Sequence, residues 1–420
     1  MRTATAVAVV LILVLFGGAA VLGLTVLDGG SSSLAVEWVS ETGRPAEINH
    51  HAPAAGRIDG QGMVFAPVSG RANQGGCALV ALDGASGERR WEYPIPAQNC
   101  TIHSVADPTL ADFDGDGTTE VVATTTEKTV EAFDPQTGDV EFRHNLTSYG
   151  YTQPLVTDFL GDDRLEIVVV DVHGTVFVVE PDGTTVWKRH LDSYTWGQPA
   201  VADFDGDGTP ELTVATGDTG KVYLFEQNGS DAWSQTPSYE GSITWMTTGD
   251  ADADGSADIV VATASTGLVS MVDGATGQRQ WTRDFGSFAA VHAFGDGDGD
   301  GEAEVYAVAK DGKLRCLDAA TGETEWTTTL TTESVQMTPP PALGDLDGDG
   351  KPELVAVTND GVVSVVDPVS GEVLDTYERE SAIFTNPRLA DIDGDGDLEA
   401  FVMFGRGRVA AFDFSRPSAE

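Results

Sequence analysis

The sequence predicts an all-β protein: an eight-bladed β-propeller of four-stranded antiparallel blades, closed by an N-terminal strand that follows one hydrophobic segment. Three observations predict it. An acidic block recurs every 45–49 residues. A Trp-bearing strand follows the block at a fixed place. The last repeat lacks that strand, and the N-terminus has one to spare.

The acidic block is clearest at Ala111-Asp-Phe-Asp-Gly-Asp-Gly-Thr-Thr-Glu120, followed by the apolar run Val121–Ala123. Equivalent blocks begin at Asp112, Asp158, Asp203, Asp250, Asp296, Asp345 and Asp391. An eighth copy, Arg57-Ile-Asp-Gly-Gln-Gly62, keeps its glycines but has lost the first and third acids. Pro53 precedes it by four residues, as Pro108, Pro154, Pro199, Pro341 and Pro387 precede theirs.

The second signature follows two strand-like runs. Ala78–Trp91 reads ALVALDGASGERRW, Leu268–Trp281 reads LVSMVDGATGQRQW, and Leu314–Trp326 reads LRCLDAATGETEW. Trp91, Trp187, Trp233, Trp281 and Trp326 stand four residues after the turn glycine, and Phe142 substitutes once. Short Val/Ile-rich runs bounded by Gly and Asp are strands joined by hairpins. Each repeat thus supplies four strands, the length of one propeller blade.

Closure sets the count. The final repeat stops after its third strand, Arg408–Phe412, while Leu34-Ala-Val-Glu-Trp38-Val-Ser40 is an orphan strand. Pairing the two gives eight complete blades and removes the free edges that invite aggregation. The domain reading is therefore residues 1–33 as an N-terminal segment with a short linker, and 34–420 as the propeller.

Ala4–Leu27 is nearly all apolar, with no charge between Arg2 and Asp28. That length spans a hydrocarbon core of about 30 Å and exceeds the usual apolar core of a cleaved signal, about 7–15 residues. It predicts a single membrane anchor with the propeller outside the cell; the alternative is secretion after signal cleavage. Either location permits a disulfide. Cys77 begins a third strand and Cys100 lies just past its paired fourth strand, which predicts a Cys77–Cys100 bond, with Cys316 a small core residue. Asn99, Asn145 and Asn228 head glycosylation sequons, compatible with export.

The A-x-D-x-x-T-G-x-x-x-W element resembles the repeat of pyrroloquinoline-quinone-type propellers, including their non-enzymatic relatives in outer-membrane assembly. The D-x-D-G-D-G element resembles the FG-GAP repeats of integrin-like propellers. Together the likenesses cover roughly residues 34–414 and imply architecture far more than activity.

Acids at positions 1, 3 and 5 of a tight turn converge, glycines at 4 and 6 permit the wrap, and position 9 closes it with a carboxylate from the next strand. Such a set suits Ca²⁺, which takes six to eight oxygens in flexible geometry. Complete sets are Asp112, Asp114, Asp116, Glu120; Asp203, Asp205, Asp207, Glu211; and Asp250, Asp252, Asp254, Asp258. Three more are Asp296, Asp298, Asp300, Glu304; Asp345, Asp347, Asp349, Glu353; and Asp391, Asp393, Asp395, Glu399. The Asp158 loop keeps Asp162 and Glu166 but has Leu160 at position 3 and Asp163 in place of a glycine, so a weak site is expected. Arg57–Gly62 should bind nothing.

Acids number 67 against 23 bases, a net charge of −44. Such a chain repels nucleic acid. Acids outside the loops still outnumber the bases, and lysines are few, a composition that resembles proteins of extreme halophiles. At molar salt the Debye length is about 3 Å, so self-repulsion is screened.

The enzyme alternatives are a quinone-dependent dehydrogenase and a carbohydrate-active lyase. The resemblance would require adjacent cysteines for the first, and none occur. No Lys/Arg/His cluster stands out as a base for the second. No quinone is expected, and His50, His51, His103, His144, His173, His190 and His292 read as scattered surface or channel residues. The expected function is a non-catalytic binding or scaffolding module for a protein or glycan at the cell surface. Its candidate ligand face is the set of connector aromatics Tyr149, Tyr151, Tyr194, Trp196, Tyr239, Trp245, Phe288 and Phe384. These precede innermost strands opposite the calcium loops, and serve either as plugs of the channel mouth or as binding platforms.

Overall fold

The structure, a computed structural model, describes residues 32–42, 49–191 and 193–416. The apolar segment expected to be an anchor lies outside them. No helix among the described residues is long and apolar enough to cross a membrane.

Among the described residues, thirty-one strands form eight antiparallel sheets, seven of four strands and one of three. Seven of the sheets are each one repeat taken in sequence order, with the first strand innermost, and the eighth adds the N-terminal strand to the outer edge of the last repeat. The blade made by Ala54–Ile58, Gln61–Val68, Ala78–Asp83 and Arg89–Pro94 is representative. Its two middle strands are almost wholly buried, because both faces pack on neighbouring blades. Its fourth strand alternates exposed and half-buried residues, as an outer strand should. The core lies between blades: Phe65 and Leu79 of the first meet Val121 and Phe133 of the second.

The ring closes as the sequence predicts. Ser33–Glu41 pairs antiparallel with Arg408–Ser415, with Leu34 opposite Phe414 and Ser40 opposite Val409. A bulge between Val36 and Trp38 turns the indole inward.

Tryptophans fasten most blades to the next, while Phe142 and Asp375 hold that place in two of them. The indole N–H of Trp91 donates to the carbonyl oxygen of Pro135, and that of Trp281 to Ala319, at 2.7 and 2.8 Å. Trp187, Trp233 and Trp326 make the same bond one blade on. The receiving turn needs glycine on two grounds. Gly322 has φ +69°, and a Cβ there would sit 2.6 Å from the Trp281 ring. Phe142, which has no N–H, meets Gly183 with a looser fit of 3.7 Å.

One blade departs from expectation. Ala200–Ala202, Glu211–Ala215 and Val222–Phe225 have no regular fourth partner. The segment carrying Trp233 is joined only by the isolated bridges Phe225–Asp231 and Lys221–Ser238. Pro237, in the same segment, has no N–H to give a ladder. Trp233 still docks on the next blade.

Candidate functional site: acidic loops on one rim, an aromatic mouth on the other

The first strand of each blade starts near the channel mouth and ends in the acidic loop, so the two features occupy opposite rims. Within a loop, position 1 organises the wrap: Asp112 accepts from the backbone N–H of Gly115 and Gly117 at 2.9 and 3.0 Å. Asp114 and Asp116 accept from the N–H two residues on. Position 2 anchors the loop in the core, as Phe113, Phe159, Phe204, Leu346 and Ile392 show. Position 9 closes it, with Glu120 accepting from the N–H of Phe113. The same bonds recur around Asp203 and Asp296, and around Asp391 the bonds from Gly394 to position 1 and from Ile392 to position 9.

In the Asp296 loop all four acids, Asp296, Asp298, Asp300 and Glu304, bring one oxygen each within 4.8 Å of one another. Three acids do so at Asp112, Asp114, Glu120; at Asp203, Asp205, Glu211; at Asp250, Asp252, Asp254; and at Asp345, Asp347, Glu353. Asp258 stays outside its cluster. One methylene shorter than Glu, it spends both oxygens on the N–H groups of Gly274 and Ala251.

The position-9 glutamates are buried among like charges. Burial first, then the loop aspartates, pushes Glu120, Glu211, Glu304, Glu353 and Glu399 up to about 7. Asp258 rises to about 6 for the same reason. Buried oxygens of Glu166, Glu211 and Asp345 have no hydrogen-bond partner, an arrangement that a cation would complete. In the Asp158 loop the chain brings a cation to the exposed acid: Arg164 binds Asp162 at 2.6 Å and Glu180 at 2.9 Å. Arg416 likewise reaches Glu353 at 2.8 Å and Asp347 at 3.3 Å.

At the other rim every blade sends residues to one cavity of about 430 Å³. Seven of the eight aromatic candidates line it: Tyr149, Tyr151, Tyr194, Trp196, Trp245, Phe288 and Phe384. Their rings are half-buried, and Tyr194 is 40% exposed. Tyr239 is the exception. It is buried with Trp233 and Ile243, with the Arg279 guanidinium 4.4 Å from its ring centre. Its N–H is tied to Gly220 of the preceding blade, which holds it away from the mouth.

The scattered histidines are corrected by the fold. His50, His51 and His103 converge on the same cavity with Tyr151 and Asp107. The ring of His50 stacks on Phe384 at 4.8 Å. His51 Nδ1 meets Asp107 at 2.9 Å, and Asp107 also pairs with Arg388 at 3.0 Å. Arg388, from the closing blade, reaches Gln153 as well, so an ion pair crosses the channel beneath the mouth. Burial, and next the charge of neighbouring histidines, holds His50 down at about 4 and His103 lower still. The other histidines stay apart, His173 against Tyr194 and His144 beside Phe177.

Cys77 and Cys100 form a disulfide, and Cys316 is buried and free.

The family profile described as outer membrane protein assembly factor BamB matches residues 17–160 and 265–416. The FG-GAP-like repeat profile matches 158–214 and 203–261. No curated protein matches the chain. Among solved structures, the biofilm matrix protein Bap1 of V. cholerae superposes with a TM-score of 0.68 at 13% identity, over 93% of this chain and 91% of that one. BamB of Moraxella catarrhalis gives 0.59 at 15%, over 91% and 98%. A quinohemoprotein alcohol dehydrogenase of Comamonas testosteroni gives 0.64 at 12%, over 92% and 77%. Identities this low carry the fold alone. The expected adaptation to high salt finds no support in these likenesses, and the loops give part of the acidity a local role. With profile matches over most of its length, the chain belongs to the BamB-like family of PQQ-type β-propellers, with FG-GAP-like repeats built into the ring.

Proposed function

We propose that the protein is a non-catalytic binding module displayed outside the cell, its acidic loops stiffened by Ca²⁺ and its ligand seated in the aromatic mouth. The observation that carries this reading is the convergence of connectors from all eight blades on one open, ring-lined cavity. Rings with polar neighbours such as Gln198, Gln336 and Thr385 suit a saccharide, whose C–H faces stack while its hydroxyls find partners. The buried disulfide supports an oxidising location, as does likeness to a biofilm matrix protein and an outer-membrane assembly factor.

Calcium suits the acidic loops. Oxygens within 4.8 Å of one another match the span across one ion, since Ca–O distances are about 2.3–2.6 Å. The residues that would hold it are the complete sets, Asp296 to Glu304 foremost.

Likeness to an alcohol dehydrogenase prompts a second reading, a quinone enzyme. The adjacent cysteines that such a site would call for are absent from this sequence, and no step is derived through a quinone. Titration of the full chain with cell-surface polysaccharides, alongside a visible spectrum, tests the proposal. Saturable binding lost in Trp196→Ala supports it, and a quinone chromophore overturns it.

A further inference from the structure

Sequence separation hides a cluster of three imidazoles at the mouth, chemically unlike the oxygen donors of the acidic loops. His50 and His51 precede the first blade and His103 the second, yet their rings meet at the floor of the mouth. The centroid of His103 lies 5.0 Å from that of His50 and 5.4 Å from that of His51, with the ring planes nearly perpendicular in both pairs. Two imidazoles sharing one tetrahedral ion, with metal–nitrogen distances of about 2.0–2.1 Å, have centroids roughly 5 Å apart.

Two further features point to a cation. His51 Nε2 and His103 Nδ1 are both buried and have no hydrogen-bond partner. His51 is 2% exposed, and its other nitrogen is engaged by Asp107, which fixes the tautomer and leaves a bare lone pair on Nε2. A carboxylate behind a ligating histidine is the usual second support of such centres. Asp107 is itself held by Arg388 and by the N–H of Ala52, so it is already satisfied and stays behind the ring.

We propose that His51 and His103, with His50 beside them, bind one first-row transition-metal ion of the zinc class at the floor of the mouth, with Asp107 positioning His51. Imidazole donors select zinc, copper or nickel over calcium, so this centre is chemically separate from the acidic loops. The cavity above it leaves the outer face of the ion open to a ligand or water.

The test is titration of the untagged full chain, in saturating Ca²⁺ and without saccharide, with Zn²⁺ and with Co²⁺ as a spectroscopic substitute. One equivalent of Co²⁺ should give the visible absorption of tetrahedral nitrogen coordination, displaced by Zn²⁺. His51→Ala and His103→Ala should abolish it. Asp107→Asn should weaken binding about 10–100-fold, while His144→Ala, far from the mouth, should leave it unchanged. If the buried variants fail to fold, half-buried His50→Ala decides: a weaker affinity and an altered cobalt spectrum support the centre. Stoichiometric binding indifferent to His50, His51 and His103, or no binding, overturns it. Neither result depends on whether the mouth takes a saccharide.

Discussion

The indole nitrogen of Trp38 donates to the carbonyl oxygen of Gly84 at 2.7 Å. It joins the closing blade to the first and repeats, at the seam, the bond that fastens five other blades. Gly87 receives the ring: its φ is +67°, and a Cβ there would lie 2.5 Å from Trp38. Trp38→Ala should cost about 3–5 kcal/mol, as for a buried aromatic. Gly87→Ala should also destabilise, through clash and backbone strain together. Deleting Ser33–Glu41 should expose the edge at Arg408–Ser415 and abolish cooperative melting. A deleted chain that melts like the parent in calorimetry would contradict the closure.

Calcium should act as a sum of modest terms. A ligand that binds only the folded state adds about 1.4 kcal/mol per site at ten times Kd. Chelation at constant ionic strength should therefore lower the melting temperature by many degrees. Asp298→Ala, in the loop where four acids converge, should remove part of that effect. Asp158→Ala should remove much less, because Arg164 already occupies its loop. Equal losses in the two variants would refute the ranking.

The gain from calcium should depend on pH. Burial among the loop aspartates raises Glu120, Glu211, Glu304, Glu353 and Glu399 from 4.5 to about 7. A raised acid favours the folded state below its unfolded value, and that contribution is lost as pH rises through the folded one. The lowered histidines His50 and His103 act in the opposite sense, losing stability as pH falls below about 6.5. Comparing melting with calcium and with chelator at each pH isolates the loops. The difference should widen from pH 5 to pH 8, and a constant difference would contradict the loop assignment.

Blade number, strand order and the closing strand were legible because each rests on local spacing. Trp91, Trp187 and Trp281 stood out for their distance from a turn glycine, although their true partners lie one blade further on. The acidic loops were legible too, but not that Asp258 would turn to the backbone, nor that Arg164 and Arg416 would enter neighbouring acids. Tyr239 was misplaced because connector position alone does not say which blade holds a residue. The convergence of His50, His51 and His103 was hidden, since only ring closure brings connectors of successive blades together. The signal was present: all three precede a first strand, as the mouth aromatics do except Trp245, which lies within Ile243–Gly249.

The most direct test of the central claim, that the mouth is a binding face rather than a plug, is the melting of Trp196→Ala with and without a bound polysaccharide. Trp196 is half-buried on the wall of the cavity. A binding face predicts a stability change within about 1 kcal/mol and loss of the ligand-induced rise in melting temperature. A loss of about 3–5 kcal/mol, the cost of removing a packed aromatic, or a ligand response left intact, would contradict it.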